Sequence, residues 1–169
     1  MRAPLAALAL ALCSTAAPAE TRELGAHEHG HVTLQVAVEG ETVTIALEAP
    51  GENIVGFEHE ATTDEQKSAV ETARAQLGDA AAVFAMPEAA GCTVRSSEVE
   101  LHQEGDHNAF EASYSYTCSD VSALGSFDTK LFALYPSIEE IDVEYATPAG
   151  QGTQELEASS ATVTLPGTS

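Results

Sequence analysis

The sequence predicts an α+β fold: mainly an antiparallel sheet of hairpins, with one main helix, short helical turns and one disulfide. Three observations predict it. Two stretches of strict apolar alternation meet at a glycine turn, one helical stripe follows a capping sequence, and two cysteines face each other in a simple hairpin register.

Val32, Leu34, Val36 and Val38 alternate with His31, Thr33, Gln35 and Ala37, a strand with one buried face. A turn at Glu39-Gly40 leads into the β-branched run Thr42 to Glu48, completing a hairpin that Pro50-Gly51 ends. The segment from Asn53 to Glu60 carries no clear period. Thr62-Thr63-Asp64-Glu65 opens the main helix with a Thr N-cap and a Glu three residues on. Ala69, Val70, Ala73 and Leu77 line its apolar face, and Gly78 stops it. A short helix follows over residues 80–84.

Residues 92–101 and 109–118 read as two strands around a polar tip at residues 102–107. Centring that hairpin on Gly105 puts Cys92 opposite Cys118, so the two cysteines can bridge; two buried free thiols are the alternative. Val99 and Leu101 fall out of phase with Val94, which predicts a bulge between them. A helical turn at 121–124, a segment over 127–136, a strand over 138–146, a turn at 148–152 and a strand over 161–165 complete the chain.

The first 19 residues read as a secretory signal: Arg2, an apolar run from Leu5 to Leu12, and Ala17-Pro18-Ala19 as the cleavage site. That run is far short of the ~20 residues a bilayer span needs, so stable membrane insertion is not expected. Leu12 before Cys13 argues against a lipid anchor. Residues 20–169 then form a single periplasmic domain. Six Lys and Arg against 27 Asp and Glu give a net charge of −21, which excludes nucleic-acid binding because phosphate recognition needs the opposite sign.

The chemistry concentrates in histidines. His27, His29 and His31 alternate, and alternate residues of an extended chain share a face, so their imidazoles can reach one Zn²⁺. The same residues spell H-E-x-x-H, but the zincin reading needs a helix, and Gly30 and the strand that follows exclude one. His59, between Glu58 and Glu60, is a second candidate ligand. The tip with His102, Glu104, Asp106 and His107 is a third group, suited either to loose cation capture or to simple solvation. No activated serine, free thiol pair or phosphate loop points to an enzyme. Two other readings stay open: a zinc hydrolase built on the histidine cluster, and a disulfide-stapled interaction module whose histidines are incidental.

Several runs together are similar to a known family: Ala26-His27-Glu28-His29-Gly30-His31 with its alternating strand, Gly56-Phe57-Glu58-His59 before the helix, and Phe84-Ala85-Met86-Pro87 before Cys92. Tyr114-x-Tyr116-x-Cys118 and Leu131-Phe132-x-x-Tyr135-Pro136 add to them. Over about residues 26 to 146 the chain resembles the ZrgA-like periplasmic zinc-binding proteins. The resemblance implies zinc as the bound metal and an ABC-type zinc importer, or its binding subunit, as partner. It also implies His27, His29, His31 and His59 as ligands, with Glu58 beside them. Family members often carry a long His/Asp/Glu-rich tract between the cysteine-bearing strands. Here that tract shrinks to residues 102–107, which speaks against a high-capacity store.

Overall fold

The computed structural model describes residues 29–167; His27 and the segment expected to be a signal lie outside the described residues. Strands β1 (His31–Glu39) and β2 (Thr42–Pro50) form the expected hairpin, with Val32, Leu34, Val36, Val38, Val43, Ile45 and Leu47 on the buried face. The five-residue helix α1 (Gly51–Val55) follows β2 without a linker and ends at Gly56, whose φ of 81° is the left-handed conformation that glycine adopts without strain. The sequence shows no period here because one helical turn is too short to carry one.

Helix α2 (Asp64–Gly78) begins one residue later than the sequence suggested. Thr63, not Thr62, is the N-cap, and Gln66, not Glu65, closes the capping box; the Gln66 side-chain oxygen accepts from the amides of both Thr62 and Thr63. Val70, Ala73 and Leu77 are its buried residues. Asp79 then caps α3 (Ala80–Val83), and β3 (Phe84–Ala85) follows.

Strands β4 (Cys92–Glu104) and β5 (His107–Cys118) form the second hairpin, with the Cys92–Cys118 disulfide at its open end. Cys92 pairs with Cys118 as expected, and the register shifts by one between Val94 and Ser96, the predicted bulge. The tip differs. Pairing continues to Glu104 and His107, leaving only Gly105-Asp106 as the turn, with Gly105 at φ 61°. His102 therefore belongs to a strand, not a loop.

Strand β6 (Ser126–Thr129), helix α4 (Leu131–Leu134), β7 (Glu140–Thr147), β8 (Gly150–Glu157) and β9 (Thr162–Thr164) complete the chain. Residues 150–152, read from sequence as turn, open β8. The strand leaves no alternation in the sequence because it is an edge strand rich in Gly, Gln and Glu that buries only Leu156. The main sheet has the order β4-β5-β2-β1-β7-β8, antiparallel except where β7 pairs in parallel with β1. A small sheet, β3-β6-β9, stands apart. The fold is thus mostly sheet, as expected, and broadly α+β.

The small sheet and the helices cover one face of the main sheet. Phe84 packs edge-on against Tyr114 and Phe127, with ring centroids 5.1 and 5.8 Å away. The Tyr114 hydroxyl donates to the Leu77 carbonyl at 2.8 Å and that of Tyr116 to Ala80 at 3.3 Å, tying α2 and α3 to β5.

Tyr114, Tyr116 and Tyr135 are all buried. Burial, then the charge of Asp79, pushes Tyr116 up to about 12, and burial pushes Tyr135 up to about 12. Tyr114 is raised further, by burial first and then by Tyr116 and Tyr135. Below pH ~10 both folded and unfolded chains hold these protons. Above it only the unfolded chain releases them, so stability is full below pH 10 and is lost as pH rises through 12. Each tyrosine contributes a slope of up to ~1.4 kcal/mol per pH unit in that window. Urea denaturation at pH 9 and pH 11.5 should show a large fall in stability; equal midpoints would contradict this.

Candidate metal centre

His29 and His31 do not share a face. Gly30 between them has φ 87°, and this turn breaks the alternation before β1 begins. A side chain there would stand 3.0 Å from Glu139 Cγ, so glycine answers both the conformation and the space. The carbonyl of Gly30 accepts from the amides of Glu139 and Glu140, docking the turn onto the start of β7. Each histidine consequently joins a different set of carboxylates.

The first set lies where α1 meets the hairpin tip. His29, Glu52 and Glu58 each offer a ligand atom within 4.8 Å of the others. His29 Nε2 contacts Glu52 Oε2. His107, the first residue of β5, places Nδ1 2.5 Å from Glu58 Oε2. The Glu58 side chain is only 13% exposed, and among the described residues its buried Oε1 has no hydrogen-bond partner. An uncompensated carboxylate oxygen is costly in such a place unless a cation takes up its lone pairs. That orphaned oxygen is the observation that fits these residues to a metal ion.

Two buried asparagines hold the set together. Asn53 accepts from the Gly30 amide at 2.9 Å and donates to the His31 carbonyl at 2.8 Å, gripping the chain on both sides of the turn. Asn108, 1% exposed, donates to the His59 carbonyl at 2.9 Å and so joins the β5 end to the segment bearing Glu58. Its Oδ1 lies over Gly51, where an added Cβ would come within 1.6 Å. Glycine at the start of α1 is what lets the hairpin approach.

Asn53→Ala should cost about 1–3 kcal/mol, since it leaves the Gly30 amide and the His31 carbonyl without their partner. It should also weaken metal binding by freeing His29. Thermal melting and a zinc titration check the two effects separately.

The second set is His31, Glu140 and Asp142, again with ligand atoms within 4.8 Å of one another. His102 stands apart from both, with Nε2 3.2 Å from Glu100 and 3.5 Å from Glu111. His59 is exposed and joins neither set. Its ring stacks on Phe57 at 5.1 Å, and Nδ1 lies 2.9 Å from the Glu60 carbonyl oxygen. Asp106 is exposed in the turn. Nothing in the sequence marks Glu52, Glu140, Asp142 or the two asparagines. Acidic residues are too common in this chain to stand out, and only the fold shows which of them meet a histidine.

Among the described residues no helix is long and apolar enough to cross a membrane. Comparison with curated proteins gives no match. The family comparison does, and its description, a ZrgA family zinc uptake protein, agrees with the resemblance carried by the histidine runs. The match spans residues 26–165, and the chain therefore belongs to the ZrgA family of zinc uptake proteins.

Proposed function

We propose that the chain captures Zn²⁺ in the periplasm and passes it to an ABC-type zinc importer or to that importer's binding subunit. The metal is cargo, held by His29, Glu52 and Glu58, while His107 holds the Glu58 carboxylate in place. The observation that carries this reading is the buried Glu58 oxygen, without a partner among the described residues and set between two histidines from distant parts of the chain. One imidazole and two carboxylates leave a position of the Zn²⁺ tetrahedron open. An open position lets an incoming ligand bind before the others leave, which is what handover requires.

His29 and His107 are both largely exposed, so a partner can reach the site. Only a neutral imidazole and ionised carboxylates bind the metal, so acid should release it. The disulfide and the export-like first 19 residues support a periplasmic location. The carrier reading is preferred to the hydrolase because His107, the imidazole that could serve as a base beside Glu58, is already engaged with its carboxylate.

Mixing the zinc-loaded protein with the metal-free binding subunit of the importer, then separating the two, tests the proposal. Transfer faster than spontaneous zinc release is expected. Transfer no faster than release would leave simple buffering.

A further inference from the structure

One face of the main sheet lies under the helices and the small sheet; the other is open, and its charge is unevenly spread. Across β4, β5 and β2, Glu100, Glu111 and Glu48 stand directly opposite one another. The same row continues past Thr33 of β1 to Asp142 of β7 and Glu155 of β8. Further along the strands the face turns neutral, and Ser115, Thr44, Ala37, Ala146 and Gln151 form a parallel row.

The face is also not flat. Glu48, Glu98, Glu100 and Glu111 line a depression of about 400 Å³, and a broader one of about 830 Å³ lies beside it over the mostly neutral part. Among the described residues no lysine or arginine pairs with these four carboxylates. The basic group beside them is His102, with Nε2 3.2 Å from Glu100 and 3.5 Å from Glu111. The acidic end is the end that carries the proposed zinc site. Glu48 lies two residues before the Pro50 that leads into α1, and Glu111 lies roughly 14 Å along β5 from His107.

We propose that the acidic half of this face docks the protein that accepts the zinc, through a patch of lysine and arginine on that acceptor. The inference rests on the carrier reading above and names the surface that handover would use. At ~4.8 Å per strand and ~3.4 Å per residue the open face measures roughly 24 Å by 27 Å, about 650 Å². That is close to the ~800 Å² which one side of a standard protein–protein interface covers, so the face suits a folded partner. The depression walled by carboxylates takes a cationic side chain from it. Like charges held opposite one another repel, and a cationic partner relieves that repulsion. A second copy of the chain would add to it, since two acidic rows would meet on molecules of net charge −21. The neutral far end offers no comparable attraction, so the acceptor is drawn towards the end where the zinc is held.

Association of residues 20–169 with the metal-free binding subunit of the importer, measured at 50 and 300 mM salt, tests this. Three forms would be compared: the unaltered chain, Glu48→Gln/Glu100→Gln/Glu111→Gln, and Glu65→Gln/Glu71→Gln/Glu88→Gln. The two variants lose the same charge, but the second loses it away from the open face. In the unaltered chain and the second variant the association rate should fall at least tenfold between the two salt concentrations. The first variant should associate at least tenfold more slowly at 50 mM and respond little to salt, with its zinc affinity and fold unchanged. Equal rates for the two variants, or no association of the unaltered chain, would overturn the proposal. So would a dimer in sedimentation that only the first variant loses, because the face would then seat a second copy. The carrier reading fails separately: the acceptor would bind at this face, yet zinc would pass to it no faster than it is released.

Discussion

Glu58→Gln is expected to weaken zinc binding by at least about 100-fold while leaving the metal-free protein as stable as before, or more so. Loss of a residue that merely supports a ligand costs 10–100-fold in metal affinity, and Glu58 is itself a proposed ligand. The opposite sign for stability follows from its surroundings. Glu58 buries a carboxylate oxygen that accepts no hydrogen bond from the described residues, and Gln removes the negative charge while keeping the shape and one oxygen. A residue kept for the fold would lose both properties together. Thermal melts of the metal-free forms beside zinc titrations separate the cases; a Gln variant less stable than its parent with unchanged affinity would mean that Glu58 is structural.

Replacing both cysteines by serine should lower stability by about 3–4 kcal/mol, because the 26-residue separation of Cys92 and Cys118 is then no longer closed in the unfolded chain. For a domain of this size that is roughly a 10 °C fall in melting temperature. Zinc binding well below the melting temperature should survive. The disulfide ties the open end of the β4–β5 hairpin, whereas His107 sits at the turn end, held locally by Asn108 and by pairing of β5 with β2 along Thr42 to Pro50. Loss of zinc affinity in the folded serine form would show that the bridge sets the geometry of the site as well as the stability.

The first hairpin and β5 were legible in the sequence because β1, β2 and β5 each bury one face and so write a two-residue period into the chain. The disulfide and its bulge were legible for a related reason: Cys92 and Cys118 fix a register, and the phase slip before Val99 has to be absorbed somewhere between them. What was not legible depends on distant residues meeting. The parallel pairing of β1 with β7 leaves no local mark, and β8 lacks the alternation that betrays a strand.

The same distinction runs through the site. The histidine runs marked its neighbourhood, but the reading of three imidazoles on one face assumed an extended chain through Gly30. The positive φ of that glycine sends His29 towards α1 and His31 towards β7. His107 and Glu58 were both singled out from sequence, yet 49 residues separate them, and only the tertiary fold brings them into contact.

The most direct measurement is a calorimetric zinc titration of residues 20–169 beside the His29→Ala/Glu58→Gln form. Sub-micromolar binding lost in the double variant, with the fold intact by circular dichroism, is the result expected from a capture site at α1 and the hairpin tip. Equally tight binding in both forms would place the zinc elsewhere on the protein and contradict the account.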